Sequence, residues 1–207
     1  MVNAELIQRI YPDMYAHYAV PRWDLPVGFQ HREKMDLGMD RNQETYASCG
    51  RSMARVGMKV QNIFFNHRSP SHRSWLRDLV PTRYEGIDPH PLANGIKATG
   101  VECQEYQNSD VDFLVELLRA CPSVCILALQ APWCKLEDIT QMNAGHYVAA
   151  GHVDLRKREV LVHDTGNGSP WGRIKLNHLG AIWHDNLIGR RDKVVEGWML
   201  HIPVKNS

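Results

Sequence analysis

The sequence has no long apolar run. Nowhere in its 207 residues does a hydrophobic stretch approach the roughly 18 consecutive residues of a membrane-spanning helix. The N-terminus also lacks the basic start and unbroken apolar segment of a secretory signal, because Glu5 and Arg9 interrupt it. Neither sign of charge is in excess. Lys and Arg number 24 against 23 Asp and Glu, a net charge of +1, so no long-range field draws the chain to nucleic acid or to an anionic membrane. The local cluster of Arg68, His72, Arg73 and Arg77 reads as a solvated face. Cysteine is sparse and odd in number: Cys49, Cys103, Cys121, Cys125 and Cys134. With no signal, that predicts free thiols in a reducing cytoplasm, and leaves export by a signal-free route open. Cys121 and Cys125 have CxxxC spacing and Cys134 follows, which admits a zinc site; but Cys125 falls inside the strand-like run Val124 to Leu129 and reads as a core thiol. The eleven histidines show no metal-ligand spacing, so neither a metal nor another cofactor is expected.

What is present suits one domain spanning 1–207, with residues 1–40 as an N-terminal arm. Apolar residues make up 43% and charged residues 23%, ordinary for a globular chain. The arm mixes Pro21, Pro26 and charges with Tyr11, Tyr15, Tyr18 and Trp23, so it is expected to pack on the body, with a short helix over Ala4 to Ile10.

A helix is predicted from Ser48 or Cys49, with Met53, Val56, Val60, Ile63 and Phe64 on one stripe and Gly57 weakening it. Short helices follow near Ser74 to Leu79 and between Pro91 and Ala98. Ser109 or Asp110 caps a stronger one that buries Val111, Leu114, Val115 and Leu118 and stops before Pro122. The pattern then turns strand-like: Val124 to Leu129, His146 to Val153, and Glu159 to His163, the last two joined by a polar hairpin loop. Leu176 to Trp183 reads as a short helix or turn. Gly197 to Val204 reads as a closing strand, with Trp198, Leu200 and Ile202 on one face. Helices first and a largely antiparallel sheet second make an α+β fold.

Three places carry chemistry. In Gln43-Glu-Thr-Tyr-Ala-Ser-Cys49-Gly50, a thiol in the first turn of a helix feels the partial positive charge of unpaired backbone N–H groups, which favours the reactive thiolate. Gln43 lies where its amide, with the backbone N–H of Cys49, could hold the oxyanion of a tetrahedral intermediate. Gly50 would let a substrate approach closely. In Gly145-His146-Tyr147-Val148, a histidine that starts a strand stands at the end of the sheet, where it can face a helix start and act as general base. Gly145 is a second substrate-binding candidate. In His163-Asp164-Thr165-Gly166, Asp164 ends the paired strand and can orient His146. His152, six residues beyond His146, is predicted to share its face at a distance of about 20 Å.

These residues, in this order, resemble the papain-like superfamily, and in particular the C39-like cysteine peptidases. The match covers about residues 40 to 185. It implies a papain-like fold, an N-terminal helical half packed on a C-terminal antiparallel sheet. It also implies Cys49 as nucleophile, His146 as general base, Asp164 as orienting residue and Gln43 in the oxyanion hole. Arg51 departs from the pattern, because the family commonly has proline after Cys-Gly. No transporter is attached, so the role of transporter-fused members does not carry over. The reading is a cysteine hydrolase that cleaves a peptide or amide bond in a peptide or protein substrate through an acyl-thioester. Two alternatives stay open: acyltransferase or transglutaminase-like use of the same site, and a papain-like binding module without activity. The oligomeric state is open as well.

Overall fold

A computed structural model describes residues 46–63, 87–130, 145–163, 171–187 and 190–205. The arm, the expected helices over Ala4 to Ile10 and near Ser74 to Leu79, Gln43, Phe64, Cys134 and Asp164 lie outside them. In chain order the elements are α1 (Tyr46–Val60), α2 (Pro89–Ala98), β1 (Gln104–Tyr106), α3 (Val111–Ala120), β2 (Ser123–Gln130), β3 (Gly145–Asp154), β4 (Glu159–His163), β5 (Trp171–Lys175), α4 (Leu176–Ile182), β6 (His184–Leu187), β7 (Arg190–Glu196) and β8 (Met199–Pro203). This is mixed helix and antiparallel sheet, as the sequence pattern predicts.

The main sheet runs β1-β8-β2-β3-β4-β5, every pair antiparallel, and β6 and β7 form a separate two-stranded ribbon. β2 lies at its centre and is buried along its whole length. The reason is in its sequence, Ser-Val-Cys-Ile-Leu-Ala-Leu-Gln, which is apolar on both alternating faces and must be covered on both. Val124, Ile126 and Ala128 pack with Met53, Val56, Leu92 and Ile96 of α1 and α2. Cys125, Leu127 and Leu129 pack with Leu114 and Leu118 of α3 and Leu179 of α4. Helices therefore cover both faces, where a helical half packed on a sheet half was expected, and β1 from the first half joins the sheet.

Local chemistry explains the boundaries. Asp110 Oδ1 accepts from the Phe113 N–H at 2.8 Å and starts α3. The β3–β4 turn is held by Asp154 Oδ1, which accepts from the Arg156 and Lys157 N–H groups, and Arg158 closes it at a φ of 53°. Gly57 lets α1 lie close to β8: a Cβ there would sit 3.0 Å from Ile202 Cδ1. The pairing of β3 with β4 slips between Ala150 and His152. This bulge reverses the alternation, so Val153 joins Val148 and Ala150 in one core while His152 turns to the opposite face. The expectation that His152 shares the face of His146 fails for that reason.

Candidate active site

α1 begins at Tyr46, ahead of the predicted start, which makes Cys49 the fourth residue of the helix and keeps it in the first turn. The free N–H groups at a helix start belong to the cap and the first three residues. As the fourth residue, Cys49 is the first whose N–H falls outside that set, and an oxyanion donor is better sought in a side chain. Gly50 is buried, and a Cβ on it would lie 2.6 Å from Ile87 Cγ2 and 3.5 Å from Leu92 Cδ1. Here glycine allows the segment leading into α2 to press against the start of α1.

At the other side stands the beginning of β3. Gly145 is exposed at the strand end, and His146 and Tyr147 are buried. Leu129 of β2 pairs with His146, and Gln130 pairs with Gly145. Tyr147 belongs to the core beneath α1. Its ring meets Trp198 edge-on at a centroid distance of 6.1 Å, and its hydroxyl donates to the Ile87 carbonyl at 2.5 Å. Two contacts thus converge on Ile87, one from the residue after Cys49 and one from the residue after His146.

Strand alternation gives the α1 face to Tyr147 and Ala149, and the other face to Val148 and Ala150. His146 starts on the Val148 side. An imidazole there meets a thiol at the α1 start only by reaching around the strand end. That end is closed by β6. A Cβ on Gly145 would collide with the Asp185 carboxylate, and the Gln130 side-chain amide donates to the His184 carbonyl at 3.3 Å. The β3–β4 ladder ends with Ala149 opposite His163, which is itself buried. The Cys49 side chain, Gln43 and Asp164 lie outside the described residues.

Sequence reasoning does not find Ile87, Tyr147 or Asp185. A tyrosine inside an apolar strand run is a readable signal, because a buried hydroxyl needs a partner. Ile87 and Asp185 give none, since both arrive from distant segments.

Three thiols are described: Cys103, Cys121 and Cys125. Cys125 is fully buried, and desolvation pushes its pKa far up. Burial likewise raises Cys103, reinforced by Glu105 and opposed by Lys97. Cys121 Sγ lies 3.6 Å from His201 Nε2, and burial holds the His201 pKa below its usual value. Among the described residues no group of three or more His, Cys, Asp and Glu is placed to hold a metal ion, and no helix is long and apolar enough to cross a membrane.

No protein-family model matches the chain, and no curated protein matches it. Among solved structures it is similar to a Bacillus anthracis protein provisionally described as a C39-like peptidase. The identity is 16% and the TM-score 0.43, over 59% of this chain and 61% of that one.

Proposed function

We propose that the protein is a cysteine hydrolase acting on a peptide or amide bond, with Cys49 as nucleophile and His146 as base. One observation supports the pairing most: the neighbours of both residues, Gly50 and Tyr147, pack on the same residue, Ile87. The start of α1 and the start of β3 are thereby tied together.

The chemistry follows from those positions. The Cys49 thiolate attacks the carbonyl carbon, and the carbonyl electrons move to oxygen. The Gln43 amide donates to that oxyanion. The protonated His146 passes its proton to the leaving nitrogen, the C–N bond breaks, and an acyl-thioester remains on Cys49. His146 then takes a proton from water, and the resulting hydroxide releases the acid and regenerates the thiolate. Asp164 accepts a hydrogen bond from the imidazole and fixes its tautomer. The substrate is a peptide or protein, Gly50 and Gly145 flank the place where it approaches, and residues 1–207 act as one domain in the cytoplasm.

Brief treatment with iodoacetamide near pH 6, with mass-spectrometric mapping of all five cysteines, tests this. Cys49 is expected to label much faster than Cys103, Cys121, Cys125 and Cys134, and His146→Ala is expected to abolish the preference. Equal labelling of the five, or a preference indifferent to His146, contradicts the reading.

A further inference from the structure

We propose that Tyr147 is a positioning residue for the Cys49–His146 pair: its buried hydroxyl holds the Ile87 carbonyl, and Ile87 braces the turn of α1 that carries Cys49. The inference rests on the reading of Cys49 and His146 as nucleophile and base, and goes beyond it by naming what sets their separation.

A hydroxyl on a side chain that is 3% exposed is costly unless it is satisfied, and packing alone would be met by phenylalanine. Tyr147 satisfies its hydroxyl on a backbone carbonyl 60 residues away in sequence. That carbonyl belongs to Ile87, the residue at which the chain turns into α2. Ile87 has little room to move on its other side, because its Cγ2 already occupies the space a Cβ on Gly50 would need. The ring of Tyr147 is held in turn by Trp198, whose indole N–H donates to Glu105 Oε1 at 2.7 Å. A continuous line of contacts therefore runs from β1 through Trp198, Tyr147 and Ile87 to Gly50. It crosses the sheet–helix boundary one residue from His146 and one residue from Cys49.

Such a brace matters because His146 begins on the far face of β3. The imidazole must come around the strand end to meet the thiol, and small shifts of α1 along β3 change that approach. A misplacement of about 1 Å between reacting groups can cost on the order of 100-fold in rate.

Tyr147→Phe removes one oxygen and keeps the ring. The readout is the pH profile of Cys49 alkylation by iodoacetamide, with thermal unfolding measured alongside. Gln61→Leu is the control, because it removes three partly buried hydrogen bonds just past the opposite end of α1. Tyr147→Phe is expected to raise the apparent pKa of Cys49 and to slow its alkylation at pH 6 about tenfold. Gln61→Leu is expected to lower thermal stability and leave that profile in place. A Tyr147→Phe profile that superimposes on the wild type overturns the proposal, as does an equal shift in Gln61→Leu. If wild-type Cys49 reacts no faster than Cys103, the pairing with His146 fails first and this inference fails with it. Should Tyr147→Phe not fold, Gly50→Ala displaces Ile87 from the other side, and the same shift is expected.

Discussion

Gly50 and Ile87 stand so close that no other residue at position 50 leaves Ile87 where it is: a Cβ would lie 2.6 Å from Ile87 Cγ2. In an exposed helix interior, Gly→Ala gains roughly 0.5–1 kcal/mol. Here the overpacking term, about 1–3 kcal/mol, wins. Gly50→Ala is therefore expected to lower stability by about 1–2 kcal/mol, read as a reduced midpoint in urea at unchanged slope.

Gln61 joins three segments from a nearly buried position just after α1. Its amide nitrogen donates to the Glu102 and Pro203 carbonyls at 2.7 and 3.1 Å, and its oxygen accepts from the Glu102 N–H at 2.8 Å. Leucine at this position fills the space but leaves three backbone groups without that partner. These bonds are only partly buried, so each counts for about 1 kcal/mol, and Gln61→Leu is expected to cost about 2–4 kcal/mol in equilibrium denaturation.

Glu105 gives a pH dependence of known sign. Burial tends to raise its pKa, but hydrogen bonds from Trp198 and His90, with the charges of His90 and Lys97, together outweigh burial and hold it below the usual value. A depressed folded-state pKa means stabilisation that is complete above the unfolded value, about 4.3, and lost as pH falls through the folded value. The stability difference between wild type and Glu105→Gln is expected to persist down to about pH 5 and to close below about pH 4. A difference that grows as the pH falls from 5 to 3 contradicts this. Thermal scans between pH 3 and 7 provide the measurement.

Cys125 is fully buried and its thiol resists ionisation. It is expected to stay unlabelled by an aromatic disulfide reagent in the native protein at pH 8 and to react at once in denaturant. Labelling of Cys125 without denaturant would show that the centre of β2 opens locally.

The strands and helices with a strong period are legible in the amino-acid sequence. The β3–β4 hairpin, α3 with its Asp110 cap and the closing strand β8 lie where their apolar alternation and turn residues put them. β1, β5 and the β6–β7 ribbon are not legible there. Gln104–Tyr106 is too short to show a period, and Trp171–Lys175 takes its place by pairing with β4. In Arg190–Glu196, charges stand where an alternating strand would show apolar residues. The bulge at Gly151 does carry a sign, an isolated glycine inside a strand run, which strict alternation from His146 to His152 passes over. At the site, Cys49 and His146 can be singled out by local context, a helix start and a strand start. The residues that tie those starts together cannot, since Tyr147 and Ile87 meet only through the tertiary fold.

The central claim is that the Cys49 thiol and the His146 imidazole form a pair. Its most direct test is the distance from Cys49 Sγ to the nearer ring nitrogen of His146 in a crystal structure of the whole chain. The pairing predicts about 4 Å or less, with the imidazole brought around the end of β3 and Asp164 on its other nitrogen. An imidazole that stays on the Val148 side of the sheet, with the thiol across β3 from it, would contradict the pairing and the hydrolase reading built on it.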